Sequence, residues 1–144
     1  MIITYDPAEI SFAFGDHLVT DWAEDTQVKI EFNADSYSLT RGVKSNIRNR
    51  MHDSTAKVTI SVQPQGLDNK ALDSVRNIDL SSNAGTKSLI IKHQAIGLVF
   101  EAPDAWVMKV PDTDLSKEIG ATSWVFETSF ATCKLEFEGA VLGA

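Results

Sequence analysis

The feature that most limits what this chain can fold into is alternation of apolar and polar residues with a period of two. Val28, Ile30 and Phe32 alternate with Gln27, Lys29, Glu31 and Asn33. Val58, Ile60 and Val62 alternate with Lys57, Thr59 and Ser61. Cys133, Leu135 and Phe137 alternate with Lys134, Glu136 and Glu138. Successive side chains of a strand point to opposite faces, so this pattern predicts half-buried strands. Ile10, Phe12 and Phe14 open a further strand, and Gly15-Asp16 predicts a tight turn before it returns through His17 to Thr20. Asn33-Ala34-Asp35-Ser36 is turn chemistry, and it predicts a hairpin between the Val28 strand and a Tyr37–Thr40 strand. Further strands are predicted at 88–92, 98–102, 105–110, 122–130 and 132–138.

A helical period occurs once, over 66–80. Leu67, Ala71, Leu72, Val75 and Ile78 share one face there, opposite Asp68, Lys70, Asp73, Arg76 and Asn77. The expected fold is mainly β: one domain over 1–144, an antiparallel barrel or sandwich flanked by one α-helix that covers an open end or face. Its 144 residues suffice for one core, and no linker or internal repeat divides them. Two segments escape both periods. Residues 41–55 read as a long loop holding Arg41, Lys44, Arg48 and Arg50, and 111–120 as a more acidic connection. Long loops in small domains are commonly functional.

Little in the chain points to catalysis. His17, His52 and His93 have no metal-ligand spacing and read as surface or loop residues. Gly85-Thr86-Lys87-Ser88 lacks the glycines of a phosphate loop and precedes a strand, and no serine-hydrolase elbow occurs. The acids Asp21, Glu24 and Asp25, and Asp112 with Asp114, lie in polar turn contexts and read as solvated. Cys133 is the sole cysteine, which excludes an intrachain disulfide; its place on an apolar strand face predicts a buried thiol. Trp22, Trp106 and Trp124 read as core or interface residues. No catalytic residue, cofactor or metal is expected. A net charge of −7 argues against a duplex-binding protein. The opening residues MIITYDPAEI lack a basic start followed by an apolar run, and no stretch has the length of a membrane span, so a cytoplasmic chain without membrane insertion is expected.

Several short segments occur in a telling order. They are Tyr5-Asp6-Pro7 with Phe12-Ala13-Phe14-Gly15, Trp22-Ala23-Glu24-Asp25-Thr26, Arg48-Asn49-Arg50, Lys57-Val58-Thr59-Ile60, Leu67-Asp68-Asn69-Lys70-Ala71-Leu72, Ala105-Trp106-Val107 with Pro111, and the strand around Trp124. Together they resemble the tail tube proteins of contractile-tailed bacteriophages, over nearly the whole chain. Gly42-Val43-Lys44-Ser45-Asn46 departs from the family's glycine-rich, Asp-containing turn.

The resemblance implies a virion structural protein of the tail, assembled in the host cytoplasm. It implies hexameric rings stacked into an inner tube through which DNA passes during ejection without specific binding. The partners implied are further copies of the chain and the sheath, baseplate and tail-terminator proteins. The alternative is a related tube module: a secretion-system tube subunit, a baseplate protein or a tail-terminator protein. On this reading the polar candidates for the channel wall are Gln27, Lys29, Glu31, Ser38, Thr40, Lys57, Thr59 and Ser61. The candidates for contacts between rings are Arg41, Lys44, Arg48, Arg50 and Met51. The acidic balance, multiplied around a ring, would give a channel field that repels phosphate.

Overall fold

A computed structural model describes residues 2, 4–6, 9–20, 22–23, 28–109, 111 and 120–135. Ten strands and one helix follow in the order β1 (Ser11–Phe14), β2 (His17–Leu18), β3 (Val28–Phe32), β4 (Tyr37–Arg41), β5 (Asn46–Arg50), β6 (Ala56–Val62), α1 (Leu67–Ser82), β7 (Lys87–His93), β8 (Leu98–Lys109), β9 (Thr122–Thr128) and β10 (Thr132–Leu135). Eight strands form one antiparallel sheet in the order β2-β1-β7-β8-β9-β6-β3, with β10 paired to β8. β4 and β5 form a separate two-stranded ribbon. The fold is mainly β with one helix, as the alternation predicts. The sheet is not closed into a barrel: β2 and β3 are its two ends.

It is nevertheless tightly curled. β1 and β9 stand three strands apart, about 14 Å in a flat sheet. The Phe12 and Phe14 rings nonetheless lie 5.5 and 5.0 Å from the Phe126 ring. Phe32 on β3 likewise comes within 6.2 Å of Phe100 on β8. Period-two alternation supplies the concave face. Val58, Ile60 and Val62, Leu89 and Ile91, and Trp124 and Phe126 are all buried, and their strand neighbours are not. Burying an aromatic or aliphatic side chain of this size contributes about 1.5–3 kcal/mol, which makes this face the chief source of stability.

β8 explains a feature that the sequence divides in two. Pro103 has no N–H to give a ladder, and within a central strand proline is tolerated only at irregularities. Pairing with β7 shifts register between Lys87 and Leu89, opposite Ala105 and Ala102. On the other side, β9 pairs with Ala105–Lys109 and β10 with Leu98–Glu101, so the gap between β9 and β10 faces the same proline. The segments predicted at 98–102 and 105–110 are therefore one strand crossing a fault.

Helix α1 begins after Gly66 and ends at Asn83, whose φ of 58° terminates it. Leu72 is fully buried and Val75 packs against the core. Leu67 and Ile78, predicted to share that face, are 73% and 49% exposed. The helix meets a curved sheet along a narrow line, so only its central turns reach the core. The helix is anchored by polar side chains instead. The Asp68 carboxylate is buried and pairs with His17 Nε2 at 2.6 Å, while Thr20 N–H donates to its other oxygen at 3.1 Å. The Trp124 indole N–H donates to Asn69 Oδ1 at 2.8 Å.

The β1–β2 turn forms as predicted, with Gly15 at φ +60°. The predicted hairpin of the Val28 and Tyr37 strands does not form. β3 pairs with β6 (Val28 with Ile60, Phe32 with Ala56), and β4 pairs with β5 (Tyr37 with Arg50, Arg41 with Asn46). Joining β3 to β6 lets β3 extend the buried face. The ribbon is left outside that face, and the predicted loop 41–55 holds the end of β4, the turn 42–45, all of β5 and the irregular residues 51–55.

Candidate functional site

Two surfaces hold the residues that the sequence singles out. The first is the convex face of β3, β6 and β9. Cross-strand partners share a face, and the register aligns Glu31 with Lys57 and Lys57 with Glu127, which in turn lies opposite Trp106 on β8. Lys29, Thr59 and Val125 form the next row, and Ser61 and Ser123 the third. Five of the predicted channel residues (Lys29, Glu31, Lys57, Thr59 and Ser61) are thus brought together on one polar wall. Ser38 and Thr40 are not: they belong to the separate ribbon. Gln27 lies outside the described residues.

Lys29 Nζ sits 2.6 Å from Glu31 Oε1. The hydrogen bond from Lys29, then its charge, holds the Glu31 carboxyl below its ordinary pKa, and Lys57 adds to this. The same bond raises Lys29. Asn33 donates to Thr55 Oγ1 at 2.8 Å and to Glu127 Oε1 at 3.1 Å, tying the end of β3 to β9. Among the described residues this wall holds Lys29, Lys57, Glu31 and Glu127, and Lys109 on β8 lies opposite Val125 at its border.

The second surface is the β4–β5 ribbon. Nine of its ten strand residues are exposed, and Asn49 is half-buried. Alternation places Tyr37, Leu39, Arg41, Arg48 and Arg50 on one side. Ser38, Thr40, Ile47 and Asn49 take the other, where Asn49 donates to Thr40 Oγ1 at 2.7 Å. The Arg48 guanidinium lies 4.3 Å from the centre of the Tyr37 ring. Of the predicted contact residues, Arg41, Arg48 and Arg50 share this cationic side. Lys44 stands in the turn at the tip, and Met51 lies at the root with its backbone N–H on Ser36 O. Tyr37 and Leu39, read as one face of a strand, and Val43, read as loop, belong to this exposed surface too.

Other readings change. Cys133 points to the same side as Phe100 yet is exposed, because β10 lies beyond the end of the covered face; partial desolvation raises its thiol pKa. His93 is buried rather than on the surface; it contacts Asp6 O at 2.8 Å and stacks on Tyr5 with ring centres 4.8 Å apart. Trp124 is a core residue, and Trp22 bridges Val62 and meets Phe12 edge-on. Asp21, Glu24, Asp25, Asp112 and Asp114 lie outside the described residues. Among the described residues no group of three or more His, Cys, Asp or Glu could hold a metal ion, and no helix is long and apolar enough to cross a membrane.

No family model and no curated protein matches the sequence. Solved structures do share the fold. The tube-terminating cap of the anti-feeding prophage is 13% identical, with a TM-score of 0.52, covering 94% of this chain and 95% of that one. The sheath/tube terminator of PVC, an extracellular contractile injection system, is 10% identical with a TM-score of 0.57, covering 91% and 96%. A chain of the virion of a native gene transfer agent is 10% identical with a TM-score of 0.60, covering 91% and 99%. This chain thus shares its fold with components of contractile injection systems and of a gene transfer agent particle, and these matches span nearly entire chains on both sides.

Proposed function

We propose that this chain is a structural subunit of a phage-like tail, and that it terminates the tube rather than repeating along it. The observation that carries this reading is the whole-length likeness to two tube-ending proteins, the anti-feeding prophage cap and the PVC terminator. It favours the terminator over the repeating tube subunit that the sequence resemblance put first. The role is geometric and involves no catalysis. Copies associate in a ring, the polar convex wall faces solvent or the channel, and the exposed ribbon makes contacts between subunits. Its partners are the last tube ring and the adjoining sheath, at one end of the tail. Among the described residues β2 and β3 are the end strands of the sheet, which supports association, since sheet edges are templates for pairing.

Electron microscopy of concentrated purified protein tests this reading. A terminator gives single rings of fixed thickness that add to one end of preformed tubes. Continuous tubes from this protein alone would restore the repeating-subunit reading, and absence of any ring would sink both.

A further inference from the structure

The ribbon carries a knob at its tip and a socket at its root. At the tip, Arg41 pairs with Asn46 across the turn 42–45. A Cβ on Gly42 would collide with the backbone oxygen of Ser45, so the turn is tight and its shape is fixed. That turn presents Val43, which is fully exposed, between Arg41 and Lys44.

At the root, a cleft of about 570 Å³ opens between the ribbon and β10. Phe32, Tyr37 and Met51 line it and are 42%, 47% and 43% exposed. Asp35, Asp53 and Arg50 line it too. Asp53 accepts from the Thr55 N–H and hydroxyl, which hold its carboxyl below the ordinary range and keep it charged. The socket thus combines three apolar side chains with two carboxylates and one cation, a net acidic lining, and the knob is apolar with two cations.

We propose that the tip of one copy docks into the root cleft of a second copy, with Val43 against Phe32, Tyr37 and Met51, and Arg41 and Lys44 meeting Asp35 and Asp53. This rests on the ring-forming reading and names the contact that would build the ring. A five-residue strand spans about 17 Å, so a tip cannot fold back to its own root. Charge favours a copy of this chain as occupant. Residues 36–52 hold four of the thirteen cations and none of the twenty acids, which leaves the remainder at −11. An isolated two-stranded ribbon is marginal in water, so a partner is needed to hold it. Knob and socket lie on different parts of one molecule, so the contact is head-to-tail and propagates around a ring.

A charge-swap cycle on the full chain tests the docking, read by sedimentation velocity and negative stain. R41E/K44E and D35K/D53K should each abolish rings, with melting temperatures within a few degrees of the parent. Combining all four substitutions should restore rings at low salt. Asp35→Lys alone, which leaves the Thr55 bonds of Asp53 intact, should weaken assembly at least tenfold if the double variant proves poorly folded. Normal rings from either double variant would overturn the docking while leaving the terminator reading standing. So would failure of the folded fourfold variant to assemble. Rings that appear only after removal of 136–144 would assign the cleft to the chain's own C-terminal segment and overturn it too. Capping of preformed tubes, scored separately, reports on the terminator reading whatever the docking result.

Discussion

Trp124 and Asn69 join the sheet to the helix by one hydrogen bond: the indole N–H on β9 donates 2.8 Å to the amide oxygen on α1. The Asn69 amide nitrogen donates in turn to Gln63 O and Pro64 O, fixing the turn before the helix. Asn69→Ala leaves a buried indole N–H without its acceptor and frees that turn. We expect a loss of about 1–3 kcal/mol in urea denaturation. Asn69→Asp, which keeps an acceptor, should recover part of it.

Asp68 is the second anchor. Its buried carboxylate is held by His17 and by the Thr20 N–H. His17→Ala removes one of these partners and should cost on the order of 2–3 kcal/mol, because a buried charge loses compensation. His17 lies on β2, at the sheet end, so hydrogen exchange of β1 and β2 should accelerate before that of β6 and β9.

Phe126 lies where the curled sheet meets itself, against Phe12 and Phe14. Phe126→Ala should cost about 3–5 kcal/mol through lost burial and a cavity that strands on both sides cannot fill. Leu135→Ala, at a site 74% exposed, should change the denaturation midpoint little.

Acid should act on the convex wall with a definite sign. The folded Glu31 pKa is lowered by Lys29, so its contribution to stability is present above the unfolded carboxylate pKa and lost as pH falls through the lower folded value. The stability gap between the parent and Glu31→Gln should therefore be widest near neutral pH and close in acid. Lys29 has the opposite sign: its raised pKa contributes below the unfolded lysine value and fades as pH rises through the folded one. Both groups are exposed, so the gap should be small and shrink with salt.

Most of the strands are legible in the alternation, because the curled sheet buries one face and leaves the other in water. Val58, Ile60 and Val62 announce β6 by themselves. Partnership is not legible in the same way. Asn33 to Ser36 is sound turn chemistry, yet the turn joins strands of different sheets, because long-range pairing with β6 buries more apolar surface than a local hairpin would. β4 is legible in the alternation of Tyr37 and Leu39, but β5 is not: Ile47 alone among Asn46, Arg48, Asn49 and Arg50 gives no apolar period to read. The ribbon's arginines were identified as a cluster, but only the register shows that Arg41, Arg48 and Arg50 share a side with Tyr37. His93 illustrates the same limit. Nothing local distinguishes a buried, stacked imidazole from a surface one.

The twelve residues of β8 have a mechanical consequence. β7 is bonded along one flank, and β9 and β10 divide the other between them on either side of Pro103. A pull along this strand cannot unzip one bond at a time. It must shear ladders on both flanks together, so load entering at either end spreads through the whole sheet before any strand slips.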